Sequence, residues 1–358
     1  MNYRIVLAYC LAFIWFGLSA SAQNQLFQAP ALEKEDAWSL VLIPDTQSYV
    51  KFKRNQPILD LMVNWLDEHI DPLHVKLVLH VGDLVEQNGL MNPDGKVANQ
   101  TGIQQWEAVA RSFATIDAKV PVIATTGNHD FGIVNIENRQ TSYNRYFPLE
   151  KNHHNQQMIR DVALDEDGMP TLTNATYEFT SPEGRKFLIL VLEFAPREAM
   201  LQWAIETVNK DAYKNHTVIL LAHSYLDRNS NHIETEGYSI TDRNYGKAIW
   251  EKLVKPSKNI QLVFSGHIGA PDDKSGHVGF RTDINAGGKK VHQMTFNAQA
   301  LGGGWHGNGG DGWLRLLEFQ GNRVAVRTFS PLFAISPSTR HLAWGEDAFA
   351  PFSFELDE

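Results

Sequence analysis

Seven residues of types that can hold a metal ion or move a proton sit in short polar clusters, each directly after a run of apolar residues. They are Asp45 and Gln47, Asp83, Asn128 and His129, His223, and His267. Carboxylates together with imidazoles suit manganese, iron or zinc, and a shared aspartate can bridge two such ions. Two ions about 3.5–4 Å apart would clamp a phosphate group and activate a water for in-line attack on it. No single cluster is specific, since Gly-Asp and Gly-His pairs are common and a lone histidine after a strand is usually structural. The succession of five clusters along the chain carries the reading.

For these residues to converge, the apolar runs must be strands whose carboxyl ends share one side of a sheet system. The run 38–43 leads into Pro-Asp-Thr-Gln, 75–81 into Gly-Asp, and 120–126 into Gly-Asn-His-Asp. Further on, 217–222 leads into His223 and 260–264 into Ser-Gly-His. Between the first three runs lie two amphipathic stretches, one with Ile58, Leu61, Met62, Trp65, Leu66 and Ile70 at helical spacing, the other over 103–116. A β-α-β-α-β succession predicts parallel strands with right-handed crossovers. In open α/β sheets ligands bind at the carboxyl ends of such strands.

The remaining chain continues the alternation. A strand is predicted over 187–194, and helices over 199–208 and 243–254. Residues 131–175 are polar and weakly periodic and read as an insertion or lid over one end. After residue 275 the sequence turns glycine-rich and aromatic, with strands predicted over 291–296, 313–319 and 324–329. Two sheets between helix layers, in one domain, is the simplest architecture. Trp38, Trp65, Trp106, Trp203 and Trp250 fall in these patterns as core residues, and His80 reads as a strand residue satisfied within its sheet.

Composition narrows the function. The 358 residues are 43% hydrophobic, enough for a sizeable core, and carry 41 acidic against 32 basic side chains for a formal charge of −9. Such a surface gives no long-range attraction to nucleic acid or anionic lipid, so an anionic substrate needs a local device such as a metal centre. The single cysteine, Cys10, excludes a disulfide scaffold, a zinc finger and an iron–sulfur cluster. The stretch Gly302–Gly307 matches G-x-G-x-x-G, but no βαβ unit follows it, which argues against a dinucleotide site. The loop 302–312, with Trp305, His306 and Asp311, could line a substrate mouth or be a flexible hairpin.

Read in order, Asp45-Thr-Gln47, Gly82-Asp83-Leu-Val-Glu86, Gly127-Asn128-His129-Asp130, Ala222-His223-Ser224 and Gly266-His267-Ile-Gly269 form a recognisable series. It resembles the calcineurin-like metallophosphoesterase family, whose pattern is Asp-x-His, Gly-Asp-x-x, Gly-Asn-His-Asp/Glu, a single His and Gly-His-x-His. The resemblance covers about 38–270 within a domain of 23–358, leaving a β-rich extension over 276–358. Its Pro-Asp-Thr-Gln form and the strand at Gly312–Leu316 are similar to a secreted bacterial subgroup.

The resemblance implies an α/β fold, a four-layer α/β/β/α sandwich with mixed sheets. It also implies a phosphate mono- or diester substrate and two divalent ions, manganese, iron or zinc. Asp83 would bridge them. Asn128, through its side-chain oxygen, His223 and His267 would complete one ion's shell, and Asp45 with Gln47 would serve the other. That other position departs from the family, because Gln47 and Gly269 stand where it has histidines. An amide oxygen is a weaker donor than imidazole to a borderline-soft ion. The ion there is expected to be harder or more weakly held, or to borrow a ligand such as His277 or His292. His129 is assigned to proton transfer, oriented by Glu86 or Asp130. The alternative is a degenerate binding or cell-surface protein that keeps the scaffold with one ion or none.

The first residues carry a processing signal. Met1–Arg4 is a short basic start, 5–18 is nearly unbroken apolar sequence, and Ser19-Ala-Ser-Ala22 follows. This reads as a secretory signal peptide over 1–22, too short for the roughly 20 apolar residues of a membrane span, and places the mature chain in the periplasm or outside the cell with no stable membrane anchor. N-terminal sequencing of the exported protein is expected to start at Gln23; an intact Met1 would refute the cleavage.

Overall fold

The structure is a computed structural model that describes residues 27–358, so the predicted signal peptide lies outside the described residues. Two mixed sheets face each other. The first contains β1 (Trp38–Ile43), β2 (Val75–His80), β3 (Val122–Ala124), β11 (Leu314–Gln320), β12 (Arg323–Phe329) and β13 (Phe352–Glu355), in the order β13-β12-β11-β1-β2-β3. The second contains β4 (Ile159–Leu164), β5 (Pro170–Thr180), β6 (Lys186–Val191), β7 (Thr217–Leu221), β8 (Ile260–Ser265), β9 (Val278–Ile284) and β10 (Lys290–Phe296). Its order is β4-β5-β6-β7-β8-β10-β9. Strands β1, β2 and β3 run parallel, as do β6, β7, β8 and β10, and antiparallel strands flank both groups.

Strand alternation builds the layers. Trp38, Leu40 and Leu42 of β1 point between the sheets, where they join Ile189 and Val191 of β6 and Ile219 and Leu221 of β7. The intervening Val41 and Ile43 point outward onto helices α1 (Gln56–His69) and α2 (Gly102–Ala114), against Leu59, Met62, Trp106 and Val109. On the other side Leu188, Leu190, Val218 and Leu220 pack on α3 (Glu198–Val208) and α4 (Gly246–Ile249, continued as a π-helical turn over Trp250–Val254). Because both faces of the central strands are buried, their sequences read as continuous apolar runs. The four-layer α/β/β/α arrangement is therefore the observed one.

Local signals set the helix ends. Thr101 and Gln104 form a reciprocal capping box at the start of α2, with Thr101 Oγ1 accepting from the Gln104 amide and Gln104 Oε1 from the Thr101 amide. Helix α1 stops just before Asp71-Pro72, as a proline disfavours helical backbone in the residue ahead of it.

Two expectations are corrected. Residues 131–175 are not a lid: Ile159 onward forms β4 and the start of β5 at the edge of the second sheet, and Tyr143 and Phe147 pack under Trp106. The edge position of β4, exposed along one face, left its sequence too polar to read as a strand. The C-terminal strands also do more than extend the fold, since β11 pairs directly with β1 and β10 with β8. Of the five tryptophans expected in the core, Trp38 and Trp106 are fully buried, whereas Trp65, Trp203 and Trp250 lie at its margins. Trp38 stacks on Phe319 at 4.3 Å and meets Phe187 edge-on across the sheets. Replacing it with alanine is expected to cost about 3–5 kcal/mol of stability, read as a fall in the urea midpoint.

Candidate metal centre

All five clusters emerge at carboxyl ends of parallel strands. Asp45 and Gln47 follow β1, Asp83 follows β2, Asn128 and His129 follow β3, His223 follows β7 and His267 follows β8. The loops are tied together by backbone, with the Thr46 and Gln47 amides both donating to the Asp83 carbonyl. Asp83 and His267 have left-handed backbone (φ 51° and 73°), an uncommon conformation away from glycine that marks a constrained site. Glycines clear the room: a Cβ on Gly127 would strike the Asp83 carboxylate, and one on Gly266 would strike that of Asp45.

The two histidines are oriented by groups behind them. His223 Nδ1 lies 2.7 Å from the Val81 carbonyl, to which it must donate. His267 Nε2 lies 2.6 Å from a Glu236 carboxylate oxygen. With those nitrogens committed as donors, the neutral rings turn lone pairs at His223 Nε2 and His267 Nδ1 toward each other, 3.2 Å apart. Asp83 Oδ2 is 3.2 Å from the same His223 nitrogen. Asp83, His223 and His267 can each offer an atom such that all three lie within 4.8 Å of one another. Glu236 raises the pKa of His267 against the burial that lowers it.

Two buried carboxylates add negative charge. Asp45 is 0% and Asp83 1% exposed. Burial, then the nearby Asp83, push the Asp45 carboxyl well above its usual pKa, although the Asn297 amide and the His267 N–H both donate to it. Burial would raise Asp83 as well, but His223, His129 and His267 outweigh it and hold that carboxyl well below the ordinary range. Facing the same space, Asn128 Oδ1 and Gln47 Oε1 are buried without a hydrogen-bond partner among the described residues. Asn128 spends its nitrogen on Asn135, leaving the oxygen as the open end. Converging lone pairs, carboxylates and orphaned amide oxygens fit a divalent cation in the chemistry of their donors.

His129 stands apart from this set. Its amide donates to Asp83 Oδ1 at 3.0 Å, and its Nδ1 is 2.7 Å from the Glu86 backbone carbonyl, which leaves Nε2 as its open nitrogen. The expected orienting acids act differently. Glu86 uses its main chain, its carboxylate being paired with Lys51 at 3.0 Å, and Asp130 accepts from the Gly127 and Val85 amides as a scaffold for the loop. His80 is structural, bonded to Thr46 Oγ1 and the Gly82 amide, and burial lowers its pKa to about 3.

A cavity of about 630 Å³ opens onto the site, bordered by Gln47, Asp83, Asn128, His129 and His267. Its rim comes from the 227–238 segment, through Arg228, Glu236 and Tyr238, and from Trp305 and His306. The 302–312 loop is pinned: Arg54 and Asn55 donate to the His306 and Gly307 carbonyls, and Tyr49 Oη accepts from the Gly312 amide. Asp311 does not reach the cavity; it accepts from Asn308 within the loop.

Four residues of the site escaped the sequence reading. Asn297 and Gln299 follow β10, which runs parallel to β8, so the strand-end rule would have found them had that strand been known to be parallel. Lys51, 2% exposed beside the cavity, and Glu236, in an irregular loop, give no periodic signal.

The calcineurin-like phosphoesterase family matches over residues 40–271. The uncharacterized protein YvnB of Bacillus subtilis (strain 168) is 26% identical over 317 residues, which are 87% of this chain and 21% of that protein, so the chain spans about a fifth of its relative's length. Among solved structures, GAP50, the anchor in the inner membrane complex of Plasmodium, is 10% identical with a TM-score of 0.40 over 90% of both chains. A predicted phosphoesterase from Streptococcus pneumoniae TIGR4 is 11% identical with a TM-score of 0.29, over 90% of this chain and 99% of that one. With the family match running through every strand-end cluster, the chain belongs to the calcineurin-like phosphoesterases.

Proposed function

We propose that this chain is an exported hydrolase of phosphate mono- or diesters, working with two divalent cations, manganese, iron or zinc, held at the carboxyl ends of its parallel strands. The observation that carries the reading is the pair of lone-pair nitrogens, His223 Nε2 and His267 Nδ1, held 3.2 Å apart beside Asp83 by acceptors behind them. Export rests on the basic, apolar and small-residue pattern before Gln23. Among the described residues no helix is long and apolar enough to cross a membrane.

Asp83 would be shared, with Asn128, His223 and His267 completing one position and Asp45 with Gln47 serving the other. Bound there, the cations would supply a water nucleophile at neutral pH and neutralise charge on the phosphate. The protein does the rest. His129, anchored through Nδ1, would when protonated on both nitrogens give its Nε2 proton to the departing ester oxygen and be left as the neutral ring. Lys51, ion-paired with Glu86 at the cavity wall, offers an ammonium N–H donor toward the space an anion would enter.

Metal analysis of the purified protein, followed by hydrolysis of p-nitrophenyl phosphate and its bis-ester, tests the reading; metal-loaded protein inert toward both would favour the degenerate binder. His129→Ala is expected to keep its metal and lose about 10²–10⁴ in kcat. His267→Ala should lose metal and activity together, and equal metal loss in the two variants would contradict the division of roles. Glu236→Gln, which keeps size but weakens the hold on His267, should lower metal affinity about 10–100-fold, as judged by competition with a chelating dye.

A further inference from the structure

The family's last histidine is missing, and its place is filled. A Cβ on Gly269 would lie 3.2 Å from His277 Nε2 and 3.0 Å from the Trp305 ring, so a side chain here would press on both. Neither candidate replacement histidine is free. His277 donates from Nδ1 to the Asp273 carbonyl and accepts at Nε2 from the Ala300 amide. His292 is bonded to Thr282 Oγ1 and to the Glu355 carbonyl, within the sheet.

Gln299 lies at the same wall. It is 3% exposed, and it borders the cavity with Gln47, Asp83 and Gly269. Its amide nitrogen donates to the His267 carbonyl at 3.1 Å, which fixes the orientation of the side-chain amide, and its own backbone N–H donates to Asn297 Oδ1. Asn297 in turn donates to Asp45 Oδ2 at 2.7 Å. Gln299 Oε1 is left buried with no partner among the described residues, as is Gln47 Oε1. A buried amide oxygen without a donor is costly unless something electropositive fills its vicinity.

Resting on the two-cation reading above, we propose that Gln299 supplies the donor that replaces the missing imidazole, so that Asp45, Asp83, Gln47 and Gln299 form an all-oxygen position. Oxygen donors select hard cations such as magnesium, manganese and calcium, whereas the neighbouring position, with two imidazoles, selects zinc or iron. The two positions are thus sorted by chemistry, and the chain takes up a mixed pair of ions.

The test is metal uptake, independent of catalysis. Chelator-stripped protein is equilibrated with a mixture of Mn²⁺ and Zn²⁺ and desalted; manganese is then counted by electron paramagnetic resonance and zinc by mass spectrometry. Wild type is expected to hold one of each. Gln299→Leu should keep its zinc and lose manganese affinity by at least the roughly 10–100-fold that an outer-shell loss costs. Gln299→Glu should retain manganese, and Gln299→His should exchange it for a second zinc. If the leucine variant also loses zinc, and so reports misfolding, the glutamate and histidine variants decide between them. Unchanged manganese binding in Gln299→Leu, or a histidine variant that gains no zinc, would overturn the assignment. A wild type holding zinc alone would overturn it too while sparing a one-ion site, and a wild type holding neither ion would sink the metal reading itself.

Discussion

Two imidazole nitrogens that both carry lone pairs are held face to face in the interior, with carboxylates beside them. The nitrogens behind them donate elsewhere, His223 to the Val81 carbonyl and His267 to Glu236, while backbone and amide N–H groups of His129, His267 and Asn297 donate to the carboxylates. Acceptors brought this close in a low-dielectric interior are expensive, and the surrounding structure has to hold them in place. The rest of the architecture follows from this demand.

It begins with the sheets. Five of the seven cluster residues sit on loops after strands β1, β2 and β3, and two on loops after β7 and β8, so both sheets must be stacked with their parallel strands ending at the same rim. The contacts that enforce the stacking are apolar and remote from the site, with Trp38, Phe187 and Phe319 locking the sheets face to face. At the rim, glycines admit the carboxylates, and the left-handed backbone at Asp83 and His267 turns their side chains inward. Packing in the interior supports local strain at these two residues.

The site is also unequal in its two halves. One side has nitrogen donors backed by a carboxylate; the other has buried oxygens, with the Trp305 ring close against Gly269. Trp305 is 41% exposed and held on a loop tied down by Arg54, Asn55 and Tyr49, so the cavity mouth carries a fixed aromatic surface. The acidic balance of the chain gives an anion no general attraction, and the buried Lys51 at the cavity wall is ion-paired with Glu86.

The central strands and helices, the family, and all seven residues of the strand-end clusters were legible in the sequence. Buried parallel strands are written as unbroken apolar runs, and the polar residue that ends each run is conspicuous against them. Other features depended on pairings that no local pattern encodes. The edge strand β4 looked like loop because half its side chains face solvent. The parallel direction of β10 is set only by its neighbour β8, and with it the arrival of Asn297 and Gln299 at the rim. His277 and His292 looked available as types, yet both are consumed by hydrogen bonds to distant backbone and side chains. Glu236 and Lys51 reach the site from irregular segments, where only the folded chain determines which side chain stands behind which ligand. Residue type, spacing and burial pattern are local properties and can be read along the chain; the partner that satisfies or orients a polar atom is a long-range one, and only tertiary packing decides it.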